Sequence, residues 1–140
     1  MSPAEAHLSE DQLRAAALAL PGTYEDFPFG PETSVFKVIA PSSGGHARTG
    51  KLFAVGNLNA ETLSISLKCD PELAPQLRRA NPGIIPGYHM NKRHWNTVDC
   101  TVVAAAMVRD MVEDSYDLVV AGLPKSQQLA LEWSGRVGQK

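Results

Sequence analysis

Residues 62–68 read Thr-Leu-Ser-Ile-Ser-Leu-Lys. In an extended chain Leu63, Ile65 and Leu67 project to one side, and Thr62, Ser64, Ser66 and Lys68 to the other. The alternation predicts a strand with one packed face and one wet face, as in an antiparallel sheet covered by helices on one side. After this strand, Asp70-Pro71-Glu72 reads as a helix start, with Asp70 as N-cap and Pro71 at the first helical position. Leu73, Ala74, Leu77 and Ala80 supply that helix's apolar stripe, and Asn81-Pro82-Gly83 ends it.

Before the strand, Val35–Ala40 and Lys51–Val55 are two further strands, rich in β-branched and aromatic residues. The Ser/Gly-rich segment 41–50 joins them as a flexible hairpin loop. Ser9 and Gln12 form a capping box, followed by Leu13, Ala16, Ala17 and Leu20 at helical spacing, and Pro21-Gly22 stops this first helix. Residues 23–34 read as an ordered loop whose Tyr24, Phe27 and Phe29 dock on the core. Towards the C-terminus, Pro86-Gly87 marks a turn. Trp95–Cys100 reads as a strand, paired with a short strand around Tyr88-His89-Met90, with the Trp95 ring largely buried. A long helix follows from about Ala104 to Val120, broken by Leu123-Pro124, with a short helix at Gln127–Trp133. The order α-β-β-β-α-β-β-α predicts an α+β domain with a mostly antiparallel five-stranded sheet and helices packed on it. The domain is expected over residues 8–125, with residues 1–7 and 134–140 as flexible termini.

The 140 residues suit one domain, and 44% hydrophobic with 20% charged residues is ordinary for a soluble globular chain. No uncharged apolar stretch approaches the ~20 residues of a membrane span. The first residues, MSPAEAHLSED, carry acids where a secretory signal would be basic and apolar. Two cysteines make no disulfide framework. A cytoplasmic protein is expected, with no membrane partner, no cofactor and no Cys69–Cys100 disulfide.

The net charge of -2 hides an uneven distribution. Residues 1–36 carry one base against six acids, residues 37–98 eight against three, and residues 99–140 four against six. No acid falls between Glu72 and Asp99, whereas Arg78, Arg79, Lys92 and Arg93 do, together with His89, Asn91 and His94. Lys and Arg neutralise phosphates, Asn and His make hydrogen bonds, and the flanking Tyr88 and Trp95 are rings on which a base can stack. These seven polar residues are the candidate anion- or nucleic-acid-binding site. The competing reading is a hairpin whose charged turn is merely solvated, with Lys92 and Arg93 paired to acids such as Asp26 or Glu32. A partner is thus expected to be DNA or another phosphate-bearing ligand, with a protein-interaction module as the second possibility. An enzyme with the 23–32 loop and the basic cluster around a cleft is the third.

No catalytic residue is assigned. Ser34-Val35-Phe36-Lys37 has S-x-x-K spacing but enters a strand and lacks its partner motifs. Glu25-Asp26 is an acid pair in a loop. His89 and His94 with the distant Cys69 and Cys100 do not have zinc-site spacing, so no metal is expected. Within the long helix, Asp114-Ser115-Tyr116-Asp117 has middling to poor helix propensity, which points to a specific contact by Tyr116.

Five segments taken in order, PGTYEDFPFGPETSVFKV (21–38), KLFAV (51–55), ISLKCDPE (65–72), PGIIPGYHMNKRHWNTV (82–98) and DSYDLVVAGLPK (114–125), resemble the MmcQ/YjbR family of small bacterial proteins. The resemblance covers roughly Leu13 to Lys125. It implies an α-β3-α-β2-α fold similar to secretion chaperones, with a CyaY-like or double-wing layout. It also implies DNA binding without enzymatic activity. The 41–50 loop departs from the family by being longer and richer in Gly and Ser than the usual tight turn.

Overall fold

The computed structural model describes residues 6–41, 50–87 and 90–138, of which 133–138 are described as backbone alone. Ser9 starts helix α1 (Glu10–Leu18) as the sequence predicts: its hydroxyl accepts from the Gln12 amide at 3.1 Å, and the Gln12 side chain accepts from the Ser9 amide at 2.9 Å. Six strands follow in one sheet: β1 (Thr23–Asp26), β2 (Ser34–Val38), β3 (Lys51–Gly56), β4 (Ser64–Lys68), β5 (Ile84–Pro86) and β6 (Trp95–Asp99). Helix α2 (Ala74–Ala80) lies between β4 and β5, and α3 (Ala105–Ala121) and α4 (Lys125–Gly138) close the chain. The sheet order is β1-β2-β3-β4-β6-β5, and every pairing is antiparallel.

The alternation in β4 sets the faces. Leu63, Ile65 and Leu67 are buried, while Ser64 and Ser66 are partly exposed. Leu67 pairs with Asn96 of β6, so both side chains share the packed face, where α3 lies across β3 and β4 and α2 across β5 and β6. Phe36, Phe53, Leu13, Ile65, Val98, Val108 and Val112 are fully buried there. Each such side chain contributes about 1.5–3 kcal/mol of transfer free energy.

The sheet has six strands rather than five because Thr23–Asp26, expected as loop, pairs with β2 over its whole length. All four of its residues are only half-buried, so the strand carries no in–out hydrophobic pattern. Tyr24 is held by its hydroxyl, which accepts from the Gly50 amide at 2.9 Å. Phe27 and Phe29 do not dock on the core: they are 47% and 71% exposed at the tip of the β1–β2 connection. The strand described on the free side of β6 is Ile84–Pro86; of the expected partner around Tyr88-His89-Met90, Tyr88 and His89 lie outside the described residues. Pro86 is tolerated there because β5 is an edge strand that needs no further donor. Trp95 is half-buried rather than buried, since Asn96 and Val98 take the packed face of β6 and turn Trp95 to the other side.

Helix α2 begins at Ala74, three residues later than its sequence signals suggest. Asp70 caps a preceding turn instead: its side chain accepts from the Glu72 amide, and its carbonyl from the amides of Leu73 and Ala74. Pro75, not Pro71, occupies the helix start. Helix α4 continues to Gly138, past the 127–133 span read from the pattern. The loop residues 42–49, Tyr88 and His89 lie outside the described residues.

Ser115 shows how α3 is fixed to the sheet. The β3–β4 ladder runs through Val55–Ser66 and Ala54–Leu67, so the next pair in register would be Phe53 with Lys68. A register shift between β2 and β3 at Phe36/Lys37 disturbs the strand at that point. The Ser115 hydroxyl fills the gap, accepting from the Lys68 amide at 2.8 Å and donating to the Phe53 carbonyl at 2.6 Å. One turn of hydroxyl chemistry thus completes the ladder and anchors the helix. Beside it, the Tyr116 ring meets Phe53 edge-on at 5.6 Å, and its hydroxyl donates to the Pro21 carbonyl at 2.6 Å.

Candidate functional site

The basic corner is built on the turn that leads into β6. The Asn91 side chain accepts from the Arg93 amide at 2.9 Å, and the Asn91 carbonyl accepts from the amides of His94 and Trp95. The His94 carbonyl accepts from the Cys69 amide at 2.7 Å, which ties the turn to the end of β4. A turn closed by an Asx hydrogen bond and two backbone bonds is pre-organised. It presents Lys92 and Arg93, both exposed, while His94 is half-buried.

Arg78 reaches this turn from the last turn of α2. Its Nη1 donates to the Lys92 carbonyl at 3.2 Å and to Asn96 Oδ1 at 2.8 Å. Asn96 is fully buried and donates in turn to the Ala74 carbonyl at 3.4 Å. Arg78 therefore holds the corner together, although its position in the sequence marks it as a ligand contact. Arg79, beside it on the helix end, is exposed. Of the seven candidate residues, then, Lys92 and Arg93 are presented on the turn and Arg79 on the adjoining helix. Arg78 and Asn91 spend their side chains on shaping the site. His94 contributes mainly backbone, and His89 is outside the described residues.

The competing account had Lys92 and Arg93 paired with Asp26 or Glu32. Asp26 is engaged elsewhere, by Lys37 at 3.0 Å, and that ammonium together with the Phe27 amide holds the Asp26 carboxyl below the usual carboxylate range. Among the described residues no ion pair is formed by Lys92 or Arg93. Replacing Arg78 by Ala should cost about 1–3 kcal/mol, because the buried Asn96 oxygen loses its donor. Arg79→Ala should stay within about 0.5 kcal/mol of the parent. Urea unfolding of the two variants separates the roles, and equal stabilities would contradict the assignment of Arg78.

Cys69 and Cys100 are both free and buried, and burial pushes the Cys100 thiol up to about 12, which leaves it unreactive. Among the described residues no three metal-ligating side chains come together. No helix among them is long and apolar enough to cross a membrane.

Sequence reasoning missed a second feature. Between α2, α3 and the end of β4 lies a cleft of about 310 Å³, floored by Leu67, Leu77, Met111 and Leu118 and edged by Asp114 and Asp117. Its residues are scattered over three elements. The only local signal was two acids three positions apart in a helix, which place both on one face.

A family model, YjbR, matches residues 18–118. The chain belongs to the YjbR family. Within the family it is 39% identical over 113 residues to the uncharacterised protein YbdF of Escherichia coli O157:H7, covering 80% of this chain and 84% of that one. It is 33% identical over 81 residues to the uncharacterised protein YjbR of Escherichia coli strain K12, covering 57% of this chain and 69% of that one. Among solved structures, the Deinococcus radiodurans protein DR2400, described by the family-model domain DUF419, superposes with a TM-score of 0.78 at 35% identity, over 94% of this chain and 92% of that one. A Pseudomonas syringae protein superposes with a TM-score of 0.54 at 31% identity, over 69% of this chain and 86% of that one. The superpositions place this chain in the same fold as these solved structures.

Proposed function

We propose that this YjbR-family chain is a non-enzymatic binding module that takes a phosphate-bearing ligand, nucleic acid included, at the Asn91–His94 turn. The observation that carries the reading is the rigid presentation of Lys92 and Arg93. Two exposed cations stand on a turn closed by backbone bonds, in a stretch of 26 residues (73–98) without an acid. A pre-organised cationic turn loses little side-chain freedom beyond that of the two cations themselves when it meets a phosphate. Arg79 on the adjoining helix end extends the charge. Binding is modest and salt-sensitive on this reading, since few contacts are made and the chain as a whole is acidic.

The test is binding of a short DNA duplex at two or more salt concentrations, starting near ~50 mM, with inorganic phosphate as the small-ligand arm. Lys92→Ala with Arg93→Ala should weaken binding and flatten the slope of log affinity against log salt by about 1.8, at ~0.9 per contact. Thermal stability of the same samples should be unchanged, because neither side chain is paired with a described residue. Absence of binding to either probe by the parent protein at low salt would refute the proposal.

A further inference from the structure

The cleft between α2 and α3 is built unlike the basic corner. Its floor is apolar, with Leu67 and Met111 buried and Leu77 and Leu118 half-buried; Leu73, 42% exposed, stands at its mouth. A volume of about 310 Å³ is at the lower end of the ~300–1,000 Å³ usual for small-molecule sites. Its edge is unbalanced in charge. Asp70, Asp114 and Asp117 line it against a single cation, Lys68.

Asp114 and Asp117 are the informative pair. They stand three positions apart on α3, so their carboxylates lie on the same face one turn apart. Neither forms an ion pair with a described residue. Both residues are exposed, and like charges in that relation destabilise a helix. Burial and the neighbouring Asp114 both push the Asp117 carboxyl above the usual carboxylate range. A neutral amide at 117 would remove that repulsion. The cleft itself supplies what would make the pair useful: aliphatic walls that accept a hydrocarbon body and an anionic edge that meets a positive group at its end.

We propose that this cleft is a binding site for a small organic cation, an amine with an apolar body, whose hydrocarbon part rests on Leu67, Leu77, Met111 and Leu118 and whose ammonium faces Asp114 and Asp117. The site is separate from the cationic turn and selects the opposite charge. The two are linked through the backbone, since the Cys69 amide at the cleft donates to the His94 carbonyl of the turn.

Three probes with the same six-carbon body test it: hexylamine, hexanol and hexanoate, titrated at pH 7 against the full chain while the leucine and methionine methyl signals are followed by NMR. Saturable shifts are expected at the cleft methyls, with affinity falling from the amine to the alcohol to the carboxylate. Two exposed carboxylates, each contributing less than about 1 kcal/mol, should together favour the amine over the alcohol by no more than about tenfold. In Asp114→Asn with Asp117→Asn the amine should fall to the level of the alcohol, while the alcohol's own affinity is unchanged. Unfolding curves of the double variant, expected at least as stable as the parent, show that the cleft remains formed. Equal affinity for all three probes, an unchanged amine preference in the double variant, shifts confined to other methyls, or no saturable binding would each overturn the proposal.

Discussion

Ser115→Ala should destabilise the protein by about 2–4 kcal/mol, with the slope of unfolding free energy against urea unchanged. The hydroxyl is fully buried and serves two backbone groups just beyond the paired stretch of the β3–β4 ladder: the Lys68 amide and the Phe53 carbonyl. Alanine is close in size, so little packing is lost. The cost is the desolvation of two backbone groups left unsatisfied, about 1–3 kcal/mol for each if no water replaces the hydroxyl. Amide exchange localises the effect: the Lys68 amide should lose protection while those of Ser66 and Val55, inside the regular ladder, keep theirs. A change below about 0.5 kcal/mol would mean that the strands close the gap on their own.

Gly22→Ala should be comparably severe, at about 3 kcal/mol or more, and for a different reason. Gly22 has a φ of +74°, which side-chain-bearing residues rarely adopt. A Cβ there would also lie 2.6 Å from the Ile39 carbonyl oxygen and overlap the end of Leu131. Leu131 can move, but the backbone cannot readily follow. The Gly22 carbonyl accepts from the Ile39 amide at 2.9 Å, and the preceding Pro21 carbonyl from Tyr116 at 2.6 Å. Gly22→Asn distinguishes the two costs. Asparagine tolerates positive φ, so a purely conformational penalty would be mostly relieved, whereas contact with the Ile39 carbonyl would not. Urea unfolding should place Asn close to Ala; stability near the parent's in both variants would contradict the account.

These two positions also show where the sequence could be read. Pro21-Gly22 announces a helix stop, and the stop is there. The sequence does not show that a tyrosine 95 positions away pins that turn. The signal from Asp114-Ser115-Tyr116-Asp117 was poor helix propensity, which correctly pointed to a tertiary contact by Tyr116. It did not single out Ser115, because a hydroxyl inside a helix usually faces water or its own backbone. The candidate site was legible as a charge pattern, and its division of labour was not. Arg78 and Lys92 look equivalent in the chain, but one is turned inward to a buried asparagine and the other outward on a tight turn.

What the sequence determined by itself was whatever depends on neighbours along the chain. The alternation of Leu63, Ile65 and Leu67, the Ser9–Gln12 capping box and the helical stretch from about Ala104 to Val120 each specify an element within a few residues. Together they specify an α+β domain with helices on one face of an antiparallel sheet. What only the tertiary structure decided was whatever depends on pairing. Thr23–Asp26 is half-buried throughout and becomes a strand because β2 supplies its hydrogen-bond partners. Trp95 faces away from the packed side because Asn96 is required there by Arg78 and the Ala74 carbonyl. The cleft of Asp114 and Asp117 exists only once α2, α3 and β4 meet. Hydrophobic periodicity is a local property, written residue by residue. A hydrogen-bond partner for a buried polar group must be found wherever the fold brings one, and that location has no local signature.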